Sequence, residues 1–448
     1  MIHKTRNLLS IVLLSCMSPI IGMEPLKPAP LKNIGSSCFM NAALQAVYAM
    51  QDITYLVNQQ SKDSIYKKDS LAEAYTDLLP HFMHSDIDDE EIDPSTFCFR
   101  GWHQLNDNPC DQADANELLR ELLECIAYKD VKDTKWPFFA RHDEPNDPDL
   151  AQYPEELKTD LAQLFYVFSE SKAYADLGEV GFFESDIEVQ HSPCLNLRVL
   201  PESKNINECL RYFSSPTFDA VAIEGLGPVD GERHTFLQRT GRYIICSLDR
   251  KNFIRRTRGQ TVPTFTRHEN PISFDLYNQS FDQCFKDQSK SCGNYEVIGI
   301  IMHSGSANSG HYTAYVKAGS EWYYCNDETI TPCSEQEVFK IGQLGYGANK
   351  NTLVTTLIYE HSATRPEYAL AAKSTRSTSS SSTSTANTRR TIPTSTSSSS
   401  STSSTARTTR NGQKPQPGVR RLNAEQKPPT IVRRARTALP AKTAAKKR

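Results

Sequence analysis

The chain has 448 residues, 38% of them hydrophobic, and a formal net charge of −3. Both figures hide an uneven spread: residues 362–448 carry 18 Lys and Arg against 2 Asp and Glu, which leaves the rest near −19. An acidic body is a poor match for nucleic acid as its main ligand and suits a basic partner, whereas the Ser/Thr-rich basic end cannot bury a core. In chain order, residues 1–22 start with Lys4 and Arg6 and run into an apolar stretch from Leu8 to about Met17. That stretch is too short to span a bilayer and has the form of an export signal, with a buried N-terminal helix as the competing reading. A stiff "PLKPAP" leads into "NIGSSCFMNAALQAV", where turn-formers precede a helical apolar pattern that runs from Cys38 to about Met50.

Residues 61–128 read as mostly helical. The clearest helix is "NPCDQADANELLRELLECIAYK", with Pro109 near its first turn and Leu118, Leu119, Leu122, Leu123 and Ile126 on one face. A loop rich in Asp and Pro follows over 130–155, then a helix around "EELKTDLAQLFYVF". From about Gly178 the pattern turns to β, in "CLNLRVL", "GRYIICSL", "PISFDLY", "YEVIGIIM", "HYTAYVK", "EWYYCND" and "TLVTTLIYE". Helices first and strands second predict an α+β fold.

The 12 cysteines include no Cys-x-x-Cys pair, so neither a zinc ribbon nor a redox motif is visible. Cys110, Cys125, Cys246 and Cys325 lie within regular elements and read as packing residues. Cys38 differs: it opens a helix behind Gly35, Ser36 and Ser37, at the positive end of the helix dipole. A thiol nucleophile needs a base, and "MHSGSANSGHYTAYVKAGSEWYYCND" offers one. His311 begins a strand there, a short turn follows at 318–320, and the next strand ends at Asn326 and Asp327. An antiparallel pair brings those positions together, with the Asn326 amide orienting the imidazole. His303 also precedes the Gly/Ser loop; it is the rival base, expected instead to end its strand and brace the loop. Asn33, five residues before Cys38, is a candidate donor to an oxyanion.

"LKNIGSSCFMNAALQ" and "HSGSANSGHYTAYVKAGSEWYYCNDETIT" resemble the cysteine and histidine boxes of the ubiquitin-specific proteases, and "DQADANELL" resembles the helix between them. The resemblance covers about residues 30–361. It implies a papain-like fold with a helical thumb, a β-rich palm and fingers, and hydrolysis after the C-terminal Gly-Gly of ubiquitin. Carried over, it makes Cys38 the nucleophile, His311 the base, Asn326 the orienting residue and Asn33 the oxyanion donor. Asp327 takes an acidic position that supports or partly replaces the third residue. Gln112 and Asp114 line the approach, and Ser309, Gly310 and Tyr312 belong to a loop and strand against the tail slot. Ubiquitin's tail is basic and ends in two glycines, which fits an acidic body and a slot lined by small residues. A catalytically inactive ubiquitin-binding module and a protease of another ubiquitin-like modifier stay open as alternatives.

The chain departs from the family's pattern in places. Ser36-Ser37 stands where the family has Asn-Thr, Ala113 replaces a second Gln, and 116–119 reads Asn-Glu-Leu-Leu. The paired fingers cysteines are missing and the stretch from Val199 to Gly241 is short, so reduced, zinc-free fingers are expected. Three segments are thus expected: a signal peptide over 1–22, a catalytic domain over 23–361 and a disordered basic tail over 362–448. No cofactor, metal or nucleic acid is implied; ubiquitin and ubiquitinated proteins are the partners, the chain is a monomer, and the tail's functional alternative is an anionic surface. An exported member of this family suits an intracellular bacterium or parasite that delivers it into a host cell.

Overall fold

Twelve consecutive buried residues form α1 (Cys38–Ala49). A helix with no exposed face has to be a central one, and α1 packs against both the other helices and the main sheet. The structure, a computed structural model, describes residues 25–61, 65–84, 90–105, 113–132, 157, 159–223, 226–254, 264–287, 292–306 and 309–362. The expected export segment, Pro109, Cys110, Gln112, most of the 130–155 loop and the basic tail beyond 362 lie outside those residues.

Four further helices complete the thumb: α2 (Gln51–Ser61), α3 (Leu71–His84), α4 (Ser95–Gln104) and α5 (Ala115–Glu124). The five apolar residues assigned to one face of α5 and its π-helical extension Cys125–Lys129 are all fully buried. The helix starts later than the position of Pro109 implies, at Asp114, whose carboxylate accepts the Asn116 amide as an N-cap.

A short helix α6 (Asp160–Phe165) precedes β1 (Val167–Asp176), so the helix expected through "YVF" stops early. Its Thr159 N-cap is sound, but alternating burial from Val167 onward belongs to a strand. Next come β2 (Phe182–Glu184), β3 (Glu188–Ser192), β4 (Leu195–Arg198), α7 (Ile206–Phe213), β5 (Thr217–Ile223) and β6 (Gly227–Arg239). β1, β2, β3, β5 and β6 form one five-stranded sheet, the fingers. The fingers therefore draw on 167–192 as well as on the 199–241 stretch from which their size was judged.

The palm is an eight-stranded sheet containing β4, β7 (Tyr243–Asp249), β10 (Gln279–Ser280), β11 (Asn294–Gly305), β12 (Gly310–Ala318), β13 (Glu321–Asn326), β14 (Thr329–Cys333) and β15 (Thr352–His361). A separate hairpin joins β8 (Lys251–Ile254) to β9 (Thr264–Arg267). Both palm faces are covered. Tyr243, Ile245, Ile298 and Ile301 join the thumb cluster, while Ile244, Cys246, Val297, Ile300 and Met302 join a second cluster with α7 and α8 (Glu335–Leu344). Two register shifts in β11 against β15 re-phase its alternation, which is why "YEVIGIIM" reads as a continuous apolar run.

"PISFDLY" forms no ladder, contrary to its pattern. Ile272, Phe274 and Leu276 are buried as in a strand, but the backbone bonds scatter to Lys204, Gly342 and Val297. Neither β14 nor α8 was expected, though α8 carries a Ser334–Glu337 capping box and ends on Gly345 in the left-handed region. Among the described residues no helix is long and apolar enough to cross a membrane.

Candidate active site

The thumb brings a thiol and the palm brings an imidazole. Cys38 is the first residue of α1 and is 2% exposed. Gly35 (φ 99°) and Ser36 (φ 52°) bend the chain through the left-handed region to reach it, an excursion that Ser makes at a cost. His311 is the second residue of β12, one place beyond the hairpin whose strands close at Gly305 and Gly310.

His311 is bonded on both sides. Its Nε2 lies 2.6 Å from Asn326 Oδ1, at the end of β13, and the Cys38 sulfur accepts a hydrogen bond from the ring, leaving Nδ1 as the nitrogen that faces sulfur. Cys38, helped by Asn326 and Asp327, outweighs partial burial and holds the His311 pKa up to about 9. The ring is therefore kept as an imidazolium beside sulfur across the neutral range. Burial pushes the thiols of Cys98 and Cys284 up to about 12 and those of Cys125, Cys246 and Cys325 higher still, which silences them as nucleophiles.

Asp327 binds two amides of the thumb while its charge acts on His311. It sits at φ 51° in the two-residue turn between β13 and β14, and it is buried. Its Oδ2 accepts from Asn33 Nδ2 at 2.8 Å and its Oδ1 from Asn41 Nδ2 at 2.7 Å, while its backbone carbonyl accepts the Leu31 amide. Glu328 takes the Asn33 backbone N–H at 2.6 Å. Asn33 Oδ1 accepts from Gly35 N and Ser37 Oγ, so the side chain is clamped from both ends in front of α1. The second Nδ2 hydrogen of Asn33 is the one available for another acceptor. Asn41 and Glu328 were missed from the sequence. Asn41 did leave a signal, as an amide one turn after Cys38 in a helix whose one other amide is Gln45.

The loop and its supports complete the corner. β11 and β12 extend to Gly305 and Gly310, so part of the Gly/Ser stretch expected as loop is paired as strand. A Cβ on Gly310 would meet His303 Nε2 and the Ser304 carbonyl oxygen at 2.3 Å. The Ser309 carbonyl accepts the Ser306 amide. Tyr312 packs on His303 with the rings tilted and their centroids 4.4 Å apart, and it takes the Ala115 backbone N–H of α5. His303 is no base for Cys38: its Nδ1 lies 2.5 Å from Arg267 Nη1, and burial with that cation lowers its pKa to about 4. It lies within β11 rather than at its end. Asp114, besides capping α5, pairs with Lys251 Nζ at 3.3 Å. Gln112 lies outside the described residues. Among the described residues no group of three or more His, Cys, Asp or Glu is placed to hold a metal ion.

Known proteins match this arrangement along most of its length. Residues 29–359 match the family model described as ubiquitin carboxyl-terminal hydrolase. Ubiquitin carboxyl-terminal hydrolase 5 of Schizosaccharomyces pombe is 26% identical over 322 residues, covering 69% of this chain and 25% of that protein. Ubiquitin carboxyl-terminal hydrolase 21 of Homo sapiens is 23% identical over 352 residues, covering 69% and 59%. The chain thus spans between a quarter and three-fifths of the length of these curated relatives. Among solved structures, the SAGA DUB module of Ubp8, Sgf11, Sus1 and Sgf73 bound to monoubiquitin contains a chain of the same fold. It matches at TM-score 0.54 and 18% identity, covering 79% of this chain and 75% of that one. A papain-like α+β fold and a profile match over most of its length lead to one conclusion: the chain belongs to the ubiquitin carboxyl-terminal hydrolase family.

Proposed function

We propose that this chain is a cysteine deubiquitinase that cleaves the isopeptide or peptide bond after the C-terminal Gly-Gly of ubiquitin. The observation that carries the reading is the His311 ring bonded to Cys38 on one side and Asn326 on the other. The Cys38 thiolate attacks the glycyl carbonyl carbon, and the oxyanion that forms takes the remaining Asn33 N–H, a contact typically worth ~3 kcal/mol in kcat. The His311 imidazolium gives its proton to the leaving amine, and a glycyl thioester remains on Cys38. Water, deprotonated by His311, attacks the thioester, releasing the ubiquitin carboxylate and restoring the thiolate–imidazolium pair. Gly310 and its crowded neighbours suit a slot for glycine, and Asp114 suits a basic tail. Exposed Phe182, Ile187, Phe218 and Leu226 on the fingers suit the globular face of a folded partner.

The test is the full chain with a fluorogenic ubiquitin amide and with a ubiquitin probe bearing a C-terminal electrophile. Turnover, and labelling of wild type but not of Cys38→Ala, supports an enzyme; tight binding without labelling makes it a binding module. Preferential turnover of another modifier's tail reassigns the substrate. The finer readings belong to the same proposal: zinc-free fingers, a monomer, a catalytic domain over 23–361, a solvated basic tail, and export through residues 1–22 for delivery into a host cell. Intact residues 1–22 on protein from its native source would remove the export reading.

A further inference from the structure

The first turn of α5 is held by three side chains of different kinds, two from the palm sheet and one from the β8–β9 hairpin. Tyr312 of β12 accepts the Ala115 N–H, Thr356 of β15 hydrogen-bonds Asn116, and Lys251 of β8 pairs with Asp114. Thr356 is fully buried, but the Lys251 and Asp114 side chains are 55% and 27% exposed and meet through a single contact. Asp114 also lies close enough to Tyr312 and His303 to act on both, and Tyr312 in turn feels Cys38. The pair therefore stands beside the reactive corner, where a thumb helix and a palm strand approach each other. Partial burial works against the Lys251 ammonium, and Asp114, Glu117 and Asp249 outweigh it, so the cation persists.

We propose that Lys251 is an internal competitor for the substrate tail, its ammonium occupying the place at Asp114 that a cationic tail side chain takes on binding. This rests on the deubiquitinase reading and adds a specificity-determining residue to it. An exposed, single-contact ion pair contributes little, so a basic tail displaces it, whereas a neutral tail leaves it in place and gains nothing from Asp114. Lys251 sets the threshold of tail charge at which the cleft accepts a chain.

The experiment compares full-length wild type, Lys251→Met and Lys251→Arg. The substrates are a fluorogenic ubiquitin amide and the same amide with its basic tail residues changed to glutamine. Lys251→Met should lower KM for the basic tail by about two- to fivefold, the range for a surface pair, and leave the neutral tail unchanged. Lys251→Arg keeps the charge and should show no gain, and high salt should close the gap for the basic tail. An unchanged or raised KM in Lys251→Met, or an equal gain on the neutral tail, overturns the proposal while leaving the deubiquitinase reading intact. A folded wild type that turns over neither substrate overturns both.

Discussion

Asp327→Asn separates two roles that an acid next to Asn326 could have. The change keeps shape and removes charge. Two side-chain amides donate to Asp327, one to each oxygen, and an asparagine offers only one acceptor oxygen; its NH2 would face another NH2. One of Asn33 and Asn41 then loses its partner. A hydrogen bond to a charged group contributes about 1.5–3 kcal/mol, so a loss of about 2 kcal/mol in positioning Asn33 corresponds to a fall in kcat of about 30-fold. Alkylation of Cys38 by chloroacetamide is the control, because it requires the thiolate and its imidazolium but no oxyanion donor. The structure predicts a large loss of ubiquitin-amide turnover with an alkylation rate changed by less than about threefold. A parallel fall in both rates would mean that Asp327 acts through His311, and the assignment to Asn33 would be wrong. Unchanged turnover would refute the clamp altogether.

Other outcomes follow from the same corner and its supports. With the His311 pKa held at about 9, above the ordinary imidazole value, the ring loses its proton only as pH rises through that range. kcat/KM should therefore hold to about pH 9 and fall above it, and Asn326→Ala, which removes one of the raising contacts, should move that limb toward neutrality in a pH–rate profile. Gly310→Ala forces a methyl against His303 and the Ser304 carbonyl, and should cost about 1–3 kcal/mol in urea unfolding. Arg242 pairs with both Asp52 and Glu360 beneath α2, and Tyr243 donates to Asp52 at 3.1 Å. Arg242→Met takes the shared cation away from two buried carboxylates, so it should cost about 3–5 kcal/mol and lower the thermal midpoint sharply.

The arrangement of the candidate site was legible because it resides in short contiguous stretches. A cysteine at the head of a helix, and a histidine and asparagine facing each other across a hairpin, need only local rules to be placed. "PISFDLY" shows where those rules stop. Its alternation reports burial correctly, but a ladder needs a neighbouring strand, and this segment spends its backbone bonds on Lys204, Gly342 and Val297 instead. The fingers escaped for the opposite reason, since β6 is half-buried along most of its length and shows little contrast between its two sides. Asp327 was expected as an acidic support for the third residue, and it does act on His311 through its charge. Its further part was not visible in the sequence: from a left-handed position in a two-residue turn, its two oxygens accept from Asn33 and Asn41.

The thiol and the imidazole belong to different layers, so the reactive geometry depends on what crosses the thumb–palm junction. Apolar packing of α1 on the palm supplies most of the attraction, but it is non-directional and tolerates small slides. The crossing polar contacts are directional: Asn33 and Asn41 on Asp327, Asp52 with Arg242 and Tyr243, Asn116 with Thr356, Ala115 with Tyr312. Each leaves a buried group unsatisfied if the layers shift, a penalty of about 1–3 kcal/mol, so together they fix the register that packing alone leaves loose. An apolar core substitution that keeps its volume should thus spare the site, whereas losing one crossing partner should cost turnover before it costs the fold.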